Sequence, residues 1–231
     1  KFTGTIVRRF AMVAADAGSS SVCSTSARRQ FVVLDLDQTL IDVDEAHAMI
    51  VARPGVGQFL HYCFERFAEV AIWTNATSEW AALALDLEPL AMYRDRFSFV
   101  WTAEGQLPTL AGQAPTASPG LRRFAYGKPL RLIFQDAAYR ERGWSAHTTL
   151  LLDDLESNLA SSGNDVLVRP FRCEANADDL DETGEPHLHR VAMLLDTLQD
   201  LPDVRVRGGL RAKWWLPCEP LPASGSDAEL M

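Results

Sequence analysis

The chain has few cysteines, little lysine and no long apolar run, and each of these absences narrows the choice of function. No apolar stretch in its 231 residues approaches the length of a bilayer span, so we expect no membrane crossing. Its four cysteines lie far apart without a Cys-x-x-Cys pair, which argues against a cysteine metal site and a dense disulfide framework and makes a reducing compartment the default. The net charge of −9 argues against direct nucleic-acid binding through general electrostatics.

Lysine is scarce because almost all basic residues are arginine, and the lysines are Lys1, Lys128 and Lys213. A compact ammonium and a planar guanidinium are not interchangeable beside an anionic group. Lys128, the single lysine in the middle of the chain, is therefore a candidate for a specific role.

Two segments are rich in residue types that can bind metals, but neither has the spacing of a metal site. The acidic run Glu174–Glu185 lacks the alternating ligands and central glycine of a calcium loop, and we interpret it as a solvated loop and helix start. His187 and His189 are two residues apart, so they do not share a helix face and are not predicted to bind a metal together.

From residue 31 onward, buried strands alternate with helices, which predicts an α/β domain with a parallel sheet and right-handed crossovers. The predicted strands are short apolar runs, namely Phe31–Leu34, Val70–Trp73, Phe97–Trp101, Thr148–Leu152 and Asp165–Phe171. The predicted helices keep apolar residues at helical spacing, namely Val56–Phe67, Ser78–Leu90 and Leu188–Leu201.

The remaining segments are predicted to be irregular. Residues 1–30 are small and polar with four arginines, and we interpret them as a flexible extension or as the remnant of a mitochondrial targeting segment. Residues 102–127, rich in glycine, proline and threonine, are predicted to form an irregular insert. Residues 208–231 are predicted to form an irregular tail whose Trp214 and Trp215 pack onto the core.

Polar side chains follow the predicted strands, and in a parallel sheet the carboxyl ends of all strands share one rim. Two carboxylates two residues apart would repel each other unless a cation or a shared proton lay between them. A carboxylate can attack phosphorus, a second acid can move a proton, and a hydroxyl and an ammonium can hold the non-bridging oxygens around Mg²⁺. The strand ends therefore predict a metal-assisted phosphoryl-transfer site, built in chain order from Asp35, Asp37, Thr74, Lys128, Asp153 and Asp154.

The same residues resemble the haloacid-dehalogenase superfamily and, within it, the NLI-interacting-factor-like phosphatases, which include small phosphatases acting on the C-terminal repeat domain of RNA polymerase II. The resemblance implies a Rossmann-like phosphatase domain over residues 31–207, with flanking helices, the small insert 102–127 and no large cap domain. It rests on Asp35-Leu36-Asp37-Gln38-Thr39-Leu40, Arg53-Pro54-Gly55-Val56, Trp73-Thr74-Asn75, Tyr126-x-Lys128, Leu152-Asp153-Asp154 and the segment 164–171.

The resemblance implies a role for each matching residue. Asp35 would be the nucleophile and a metal ligand, and Asp37 the general acid and base, whose backbone carbonyl also binds Mg²⁺. Gln38 stands where the family commonly has glutamate. The phosphate-binding residues would be Thr74, Asn75 and Lys128, the metal ligands Asp35, Asp37 and Asp154, and the supporting residues Thr39 and Asp153, which orients Lys128.

One loop, one helix and one strand use up the length of the connection between Asp37 and Thr74, so no room remains there for a large lid domain over the site. This limits the class of substrate. An uncovered rim can receive a protein loop, whereas a small metabolite needs walls to bury it. We therefore predict phosphoserine or phosphothreonine in a protein as the substrate, with Arg122 and Arg123 of the insert as candidate contacts.

Two alternatives remain open. The first is a non-catalytic binding protein, because the resembling family includes a mitochondrial presequence-receptor subunit. The second is a small-molecule or nucleic-acid 3′-phosphatase, which the acidic charge and the family resemblance disfavour. We expect a monomer located in the nucleus or cytoplasm, or in mitochondria if the leader is a targeting segment.

Overall fold

The computed structural model describes residues 30–106, 127–159, 163–181, 184–199 and 201–207. The eight strands within these residues are β1 Phe31–Leu34, β2 Ile41–Asp44, β3 Met49–Ala52, β4 Glu69–Trp73, β5 Val100–Thr102, β6 Gly105–Gln106, β7 Thr149–Asp153 and β8 Asp165–Leu167. The five α-helices in the described ranges are α1 Val56–Arg66, α2 Ser78–Leu85, α3 Arg131–Gln135, α4 Ala137–Glu141 and α5 His187–Asp196.

Six of the strands form one sheet in the order β6-β5-β4-β1-β7-β8. Neighbouring strands are parallel except at the edge, where β6 runs antiparallel to β5. Strand β1 is central, with β4 on one side and β7 on the other. The predicted α/β class with a mostly parallel sheet is therefore confirmed.

The sheet has a hydrophobic layer on each face, which explains why β1 is apolar at every position. Val32 and Leu34 belong to the larger core cluster, which includes residues of α1, α2 and α5. Phe31 and Val33 point to the opposite face and join the cluster that includes residues of α3 and α4. A strand buried on both faces needs an unbroken apolar run, because each buried side chain of this size contributes about 1.5–3 kcal/mol.

Several predicted elements are shorter in the structure. Helix α2 ends at Leu85 and a 3₁₀ helix follows over Leu90–Arg96, because Pro89 disfavours helical geometry at the residue before it. Helix α5 ends at Asp196 rather than at residue 201. The strand predicted over Phe97–Trp101 is observed as β5, Val100–Thr102. The strand predicted over Asp165–Phe171 is observed as β8, which ends at Leu167.

The prediction of a single loop between β1 and α1 was wrong, because β2 and β3 form an antiparallel hairpin there. All residues between Asp37 and Thr74 are described, and they form this hairpin, α1 and β4. The connection therefore holds no large cap domain, as the predicted fold class required.

The interpretation of Glu174–Glu185 as a solvated segment was wrong for Asp179, which is 1% exposed because it pairs with the buried guanidinium of Arg53 at 2.6 Å. Gln30, the last residue of the predicted extension, is also buried, and its Nε2 donates to the carbonyl oxygen of Leu198 at 2.6 Å. The rest of that extension, residues 107–126 of the insert with Arg122 and Arg123, and the tail with Trp214 and Trp215 lie outside the described residues. Within the described ranges, none of the helices has the length and apolarity of a bilayer span.

Candidate active site

The carboxyl ends of β1, β4 and β7 lie side by side because β1 pairs with both neighbours in parallel. The backbone of Asp35 continues this pairing, since its N–H donates to the carbonyl oxygen of Leu152 at 2.9 Å. Thr74 does the same beyond β4, with its N–H donating to the carbonyl oxygen of Trp101 at 2.9 Å. The predicted residues at these three strand ends therefore share one rim of the sheet.

Lys128 lies fully buried beneath this rim, although it is remote in sequence from the first strand. Its Nζ contacts Asp35 Oδ1 and donates to Asp153 Oδ2 at 2.6 Å. Gly127 makes this placement possible, because its φ of +85° favours glycine and a Cβ would lie 3.1 Å from the Asn158 carbonyl oxygen. The N–H of Lys128 donates to that same oxygen at 2.7 Å.

Asp153 is held by three further hydrogen bonds, consistent with its predicted supporting position. Asn158 Nδ2 donates to both of its oxygens at 3.0 and 3.1 Å, and the N–H of Leu155 donates to Oδ1 at 2.8 Å. Together with Lys128, these donors leave Asp153 engaged on both oxygens. Asn75, predicted to bind phosphate, is exposed and donates through Nδ2 to Asn158 Oδ1 at 3.2 Å. Its phosphate contact stays a prediction, and Asn158 is a site residue that no motif indicated.

Asp35 receives a second contact from Thr39, whose hydroxyl donates to Asp35 Oδ2 at 3.2 Å. Both residues are buried, with Asp35 5% exposed and Thr39 fully enclosed. The carboxylate of Asp35 is thus held between an ammonium on one oxygen and a hydroxyl on the other.

Asp37 faces a different pair of donors. The hydroxyl of Thr74 donates to its Oδ2 at 3.1 Å, and the indole N–H of Trp80 donates to its Oδ1 at 2.7 Å. Asp37 is only partly buried, whereas Asp35 is enclosed. Trp80 was not among the predicted site residues, because nothing in the helical pattern of α2 distinguishes it from a core residue.

The carboxylates of Asp35, Asp153 and Asp154 form one buried group, which we call the carboxylate cluster together with Lys128. Ligand oxygens of the three acids lie within 4.8 Å of one another. If all three are ionised, one ammonium leaves two negative charges without compensation. Burial raises the pKa of Asp35 to about 8, and burial and the charge of Asp153 raise the pKa of Asp154 to about 7.

The charge of Lys128 is retained in this setting. Burial alone would lower its pKa, but the carboxylates of Asp35 and Asp153 outweigh burial and raise it above the ordinary value. The cluster therefore holds one permanent cation and a surplus of carboxylate charge. The donor set of hard oxygens and the surplus of two negative charges fit a divalent cation such as Mg²⁺.

This chain is similar to a known family of proteins over most of its length. A family model described as NLI interacting factor-like phosphatase matches residues 30–205, which is most of the chain. No curated protein sequence matches.

Two similar solved structures are those of Fcp1, described as an essential RNA polymerase II CTD phosphatase, and of a variant of fission yeast Fcp1 bound to beryllium fluoride. The first has a TM-score of 0.49 and 16% identity, with 75% of this chain covered. The second has a TM-score of 0.44 and 18% identity, with 79% of this chain covered. The chain spans 62% and 54% of the length of those two structures. By the family match, this chain belongs to the NLI interacting factor-like phosphatases, the group within the haloacid-dehalogenase superfamily that its motifs resemble.

Proposed function

We propose that this protein is a Mg²⁺-dependent phosphatase that hydrolyses phosphoserine or phosphothreonine in proteins through an aspartyl-phosphate intermediate. The observation that carries the proposal is the carboxylate cluster, in which three buried acids lie close together and one lysine contacts two of them. A surplus of buried negative charge destabilises the folded state, and such destabilising charge is typical of functional sites. Family membership supports the phosphatase class.

Asp35 is the proposed nucleophile. One of its carboxylate oxygens forms a bond to phosphorus while the bond from phosphorus to the serine or threonine oxygen breaks. Asp37 donates a proton to the departing oxygen, which would otherwise leave as a poor alkoxide leaving group. Water then attacks the aspartyl phosphate, Asp37 takes a proton from that water, and Asp35 returns to a carboxylate as inorganic phosphate departs.

Charge on the phosphoryl oxygens is the main barrier to this transfer. Lys128 supplies a fixed positive charge beside Asp35, and Thr74 supplies a hydroxyl on the other side. Asp35, Asp154 and the backbone carbonyl of Asp37 are the proposed Mg²⁺ ligands. When bound there, Mg²⁺ would neutralise charge on the phosphoryl group and on the carboxylates that hold it.

The proposed substrate class is supported by the connection between Asp37 and Thr74. Only the short hairpin of β2 and β3, α1 and β4 lie between these two residues, and the hairpin tip over 45–48 is exposed. This connection leaves space for an extended loop of another protein and does not itself form walls that would bury a small metabolite.

The test is steady-state hydrolysis of phosphoserine and phosphothreonine peptides, a panel of small phosphorylated metabolites and an aryl phosphate, with and without Mg²⁺. We expect metal-dependent hydrolysis that favours phosphopeptides and is lost in Asp35→Asn. Faster hydrolysis of a metabolite by orders of magnitude would overturn the substrate class. Activity that survives Asp35→Asn would remove Asp35 from the nucleophile position, and no hydrolysis at all would favour a binding protein.

A further inference from the structure

Asp37 is oriented by two donors that differ in what they can do. Thr74 Oγ1 accepts the N–H of Ala76 at 3.0 Å, which directs its own proton toward Asp37 Oδ2. Trp80 Nε1 donates to Asp37 Oδ1 at 2.7 Å, and an indole nitrogen can donate but never accept. The two oxygens of Asp37 are therefore chemically distinct in this structure.

The position of Trp80 is fixed by the start of α2. Thr77 caps this helix, with its hydroxyl accepting the N–H of Trp80 at 3.2 Å. Ser78 fastens the same turn to β5, with its hydroxyl 2.9 Å from that of Thr102. The indole is partly buried and packs against the larger core cluster. The helix cap and the core thus hold the indole N–H in one place beside Asp37.

We propose that Trp80 is a positioning residue that fixes the carboxyl plane of Asp37 and makes Oδ2 the atom that carries the catalytic proton. A proton on Asp37 Oδ1 would compete for that oxygen with the N–H of Trp80, because the indole nitrogen can only donate. Oδ2 faces a hydroxyl that can rotate away, so it is the oxygen that can hold a proton and give it up. This inference rests on the function proposed above.

The proton balance follows directly. Oδ2 gives its proton to the serine or threonine oxygen as the phosphorus–oxygen bond breaks, and Asp37 becomes a carboxylate. In the second step Oδ2 takes one proton from the attacking water, which restores the starting state. While Oδ2 is protonated, the hydroxyl of Thr74 can turn toward the phosphoryl oxygens, which agrees with its predicted role in phosphate binding.

The test uses the dependence of rate on the leaving group. A phosphoserine peptide needs a proton on its departing oxygen, whereas p-nitrophenyl phosphate releases a stable phenolate without one. We measure kcat/KM, because it reports only the steps up to the first irreversible one, which is the transfer to Asp35. Trp80→Phe keeps an aromatic ring and removes the N–H. We expect it to lower kcat/KM for the peptide at least about tenfold more than for p-nitrophenyl phosphate.

Three further proteins make the result specific. Trp80→Tyr restores a donor and should recover part of the loss on the peptide. The double variant Asp37→Asn with Trp80→Phe should be no slower than Asp37→Asn alone, because Trp80 acts only through Asp37. Trp144→Phe is the matched control, since it removes an indole N–H that donates to Glu69 Oε2 at 3.1 Å away from the rim. It should leave the ratio of the two substrates unchanged.

Equal losses on both substrates, or a full Trp80→Phe loss in the Asp37→Asn background, would overturn the inference while leaving the proposed function intact. If Trp80→Phe fails to fold, the isosteric benzothienylalanine at position 80 replaces the N–H by sulfur and gives the same readout. If the wild-type protein hydrolyses neither substrate, the proposed function is wrong and the inference falls with it.

Discussion

Two groups of buried charged residues differ in how their charges balance. The carboxylate cluster at the rim sets three acids against Lys128. The second group, which we call the arginine cluster, consists of Arg53, Arg169, Asp179 and His187 behind the rim. The carboxylate cluster has an excess of hydrogen-bond acceptors and of negative charge, whereas the arginine cluster has an excess of hydrogen-bond donors and of positive charge.

In the arginine cluster, protein acceptors meet the guanidinium donors of Arg53. Its Nε donates to Asp179 at 2.6 Å, its Nη1 to the Thr39 carbonyl oxygen at 3.0 Å and its Nη2 to the Arg169 carbonyl oxygen at 2.9 Å. Such a planar fork joins three loops and stabilises them without needing a ligand. The carboxylate cluster has one lysine for three acids, so the comparison separates a structural charge group from one with a proposed catalytic role.

The largest expected effect is on activity, which the substitution Asp35→Asn should abolish. The amide keeps the shape of the side chain but cannot attack phosphorus, so kcat should fall by about a thousandfold or more. At pH 8.5, above the pKa of about 8 for Asp35, the metal-free variant should unfold at the same temperature as metal-free wild type or higher, because a buried surplus charge is removed. Asp86→Asn, at an exposed pair with Arg94, is the matched control and should change neither activity nor stability. An unfolded Asp35→Asn would contradict the distinction between the clusters.

Asp179→Asn should show the opposite pattern, with a large loss of stability. The substitution leaves the guanidinium of Arg53 buried without a counter-charge, which costs about 3–5 kcal/mol of unfolding free energy. Asparagine tolerates the φ of +47° at this position, so the loss reports charge rather than backbone strain. Urea unfolding measures it, and a loss below about 1 kcal/mol would show that the pair is not a structural anchor.

Metal binding should stabilise only through the carboxylate cluster. At a Mg²⁺ concentration a hundred times the dissociation constant, the native state gains about 2.7 kcal/mol, which should raise the melting temperature of wild type. The measurement belongs at pH 8.5, above the pKa values of about 8 for Asp35 and about 7 for Asp154. Asp154→Asn should lose most of the shift, with NaCl of equal ionic strength as the control. An equal shift in that variant would place the cation elsewhere.

How far the sequence could predict each cluster depended on where its residues lie in the chain. Asp35 and Asp154 follow apolar strands directly, so strand periodicity and the parallel sheet predicted their rim. Asp179 lies in an acidic run without periodicity, and its partner Arg53 is 126 residues away. No local pattern indicates such a pairing, because burial there results from tertiary packing of loops.

The same limit applies beside the rim. Trp80 occupies an ordinary helical position, and its contact with Asp37 depends on the exact start of α2. The hairpin of β2 and β3 was missed for a related reason. Its strands have four residues each and are mostly only partly buried, and acidic residues alternate with the apolar residues of β2. Buried apolar strands and helices with apolar periodicity were predictable, whereas the hairpin and the long-range polar contacts depend on tertiary structure.

The smallest expected effect is a pH dependence of stability from His187 in the arginine cluster. Burial and then the charges of Arg53, Arg169 and Arg190 hold its pKa far below the ordinary value of 6.5, and the charge of Asp181 opposes them. Below pH 6.5 the unfolded chain takes up a proton that native His187 does not. Stability is therefore lost as pH falls from 6.5 toward the lowered native pKa, by about 1.4 kcal/mol at pH 5.5 relative to pH 8.

His187→Gln should remove this loss while keeping an acceptor for the Arg169 N–H, which now donates to His187 Nε2 at 3.2 Å. Urea unfolding of wild type and variant at pH 8 and pH 5.5 gives a double difference in which the other titrating groups cancel. The variant should be the less pH-sensitive protein by about 1.4 kcal/mol. An identical pH dependence in both proteins would mean that native His187 takes up a proton at pH 5.5. The arginine cluster would then accept a further positive charge, contrary to this prediction.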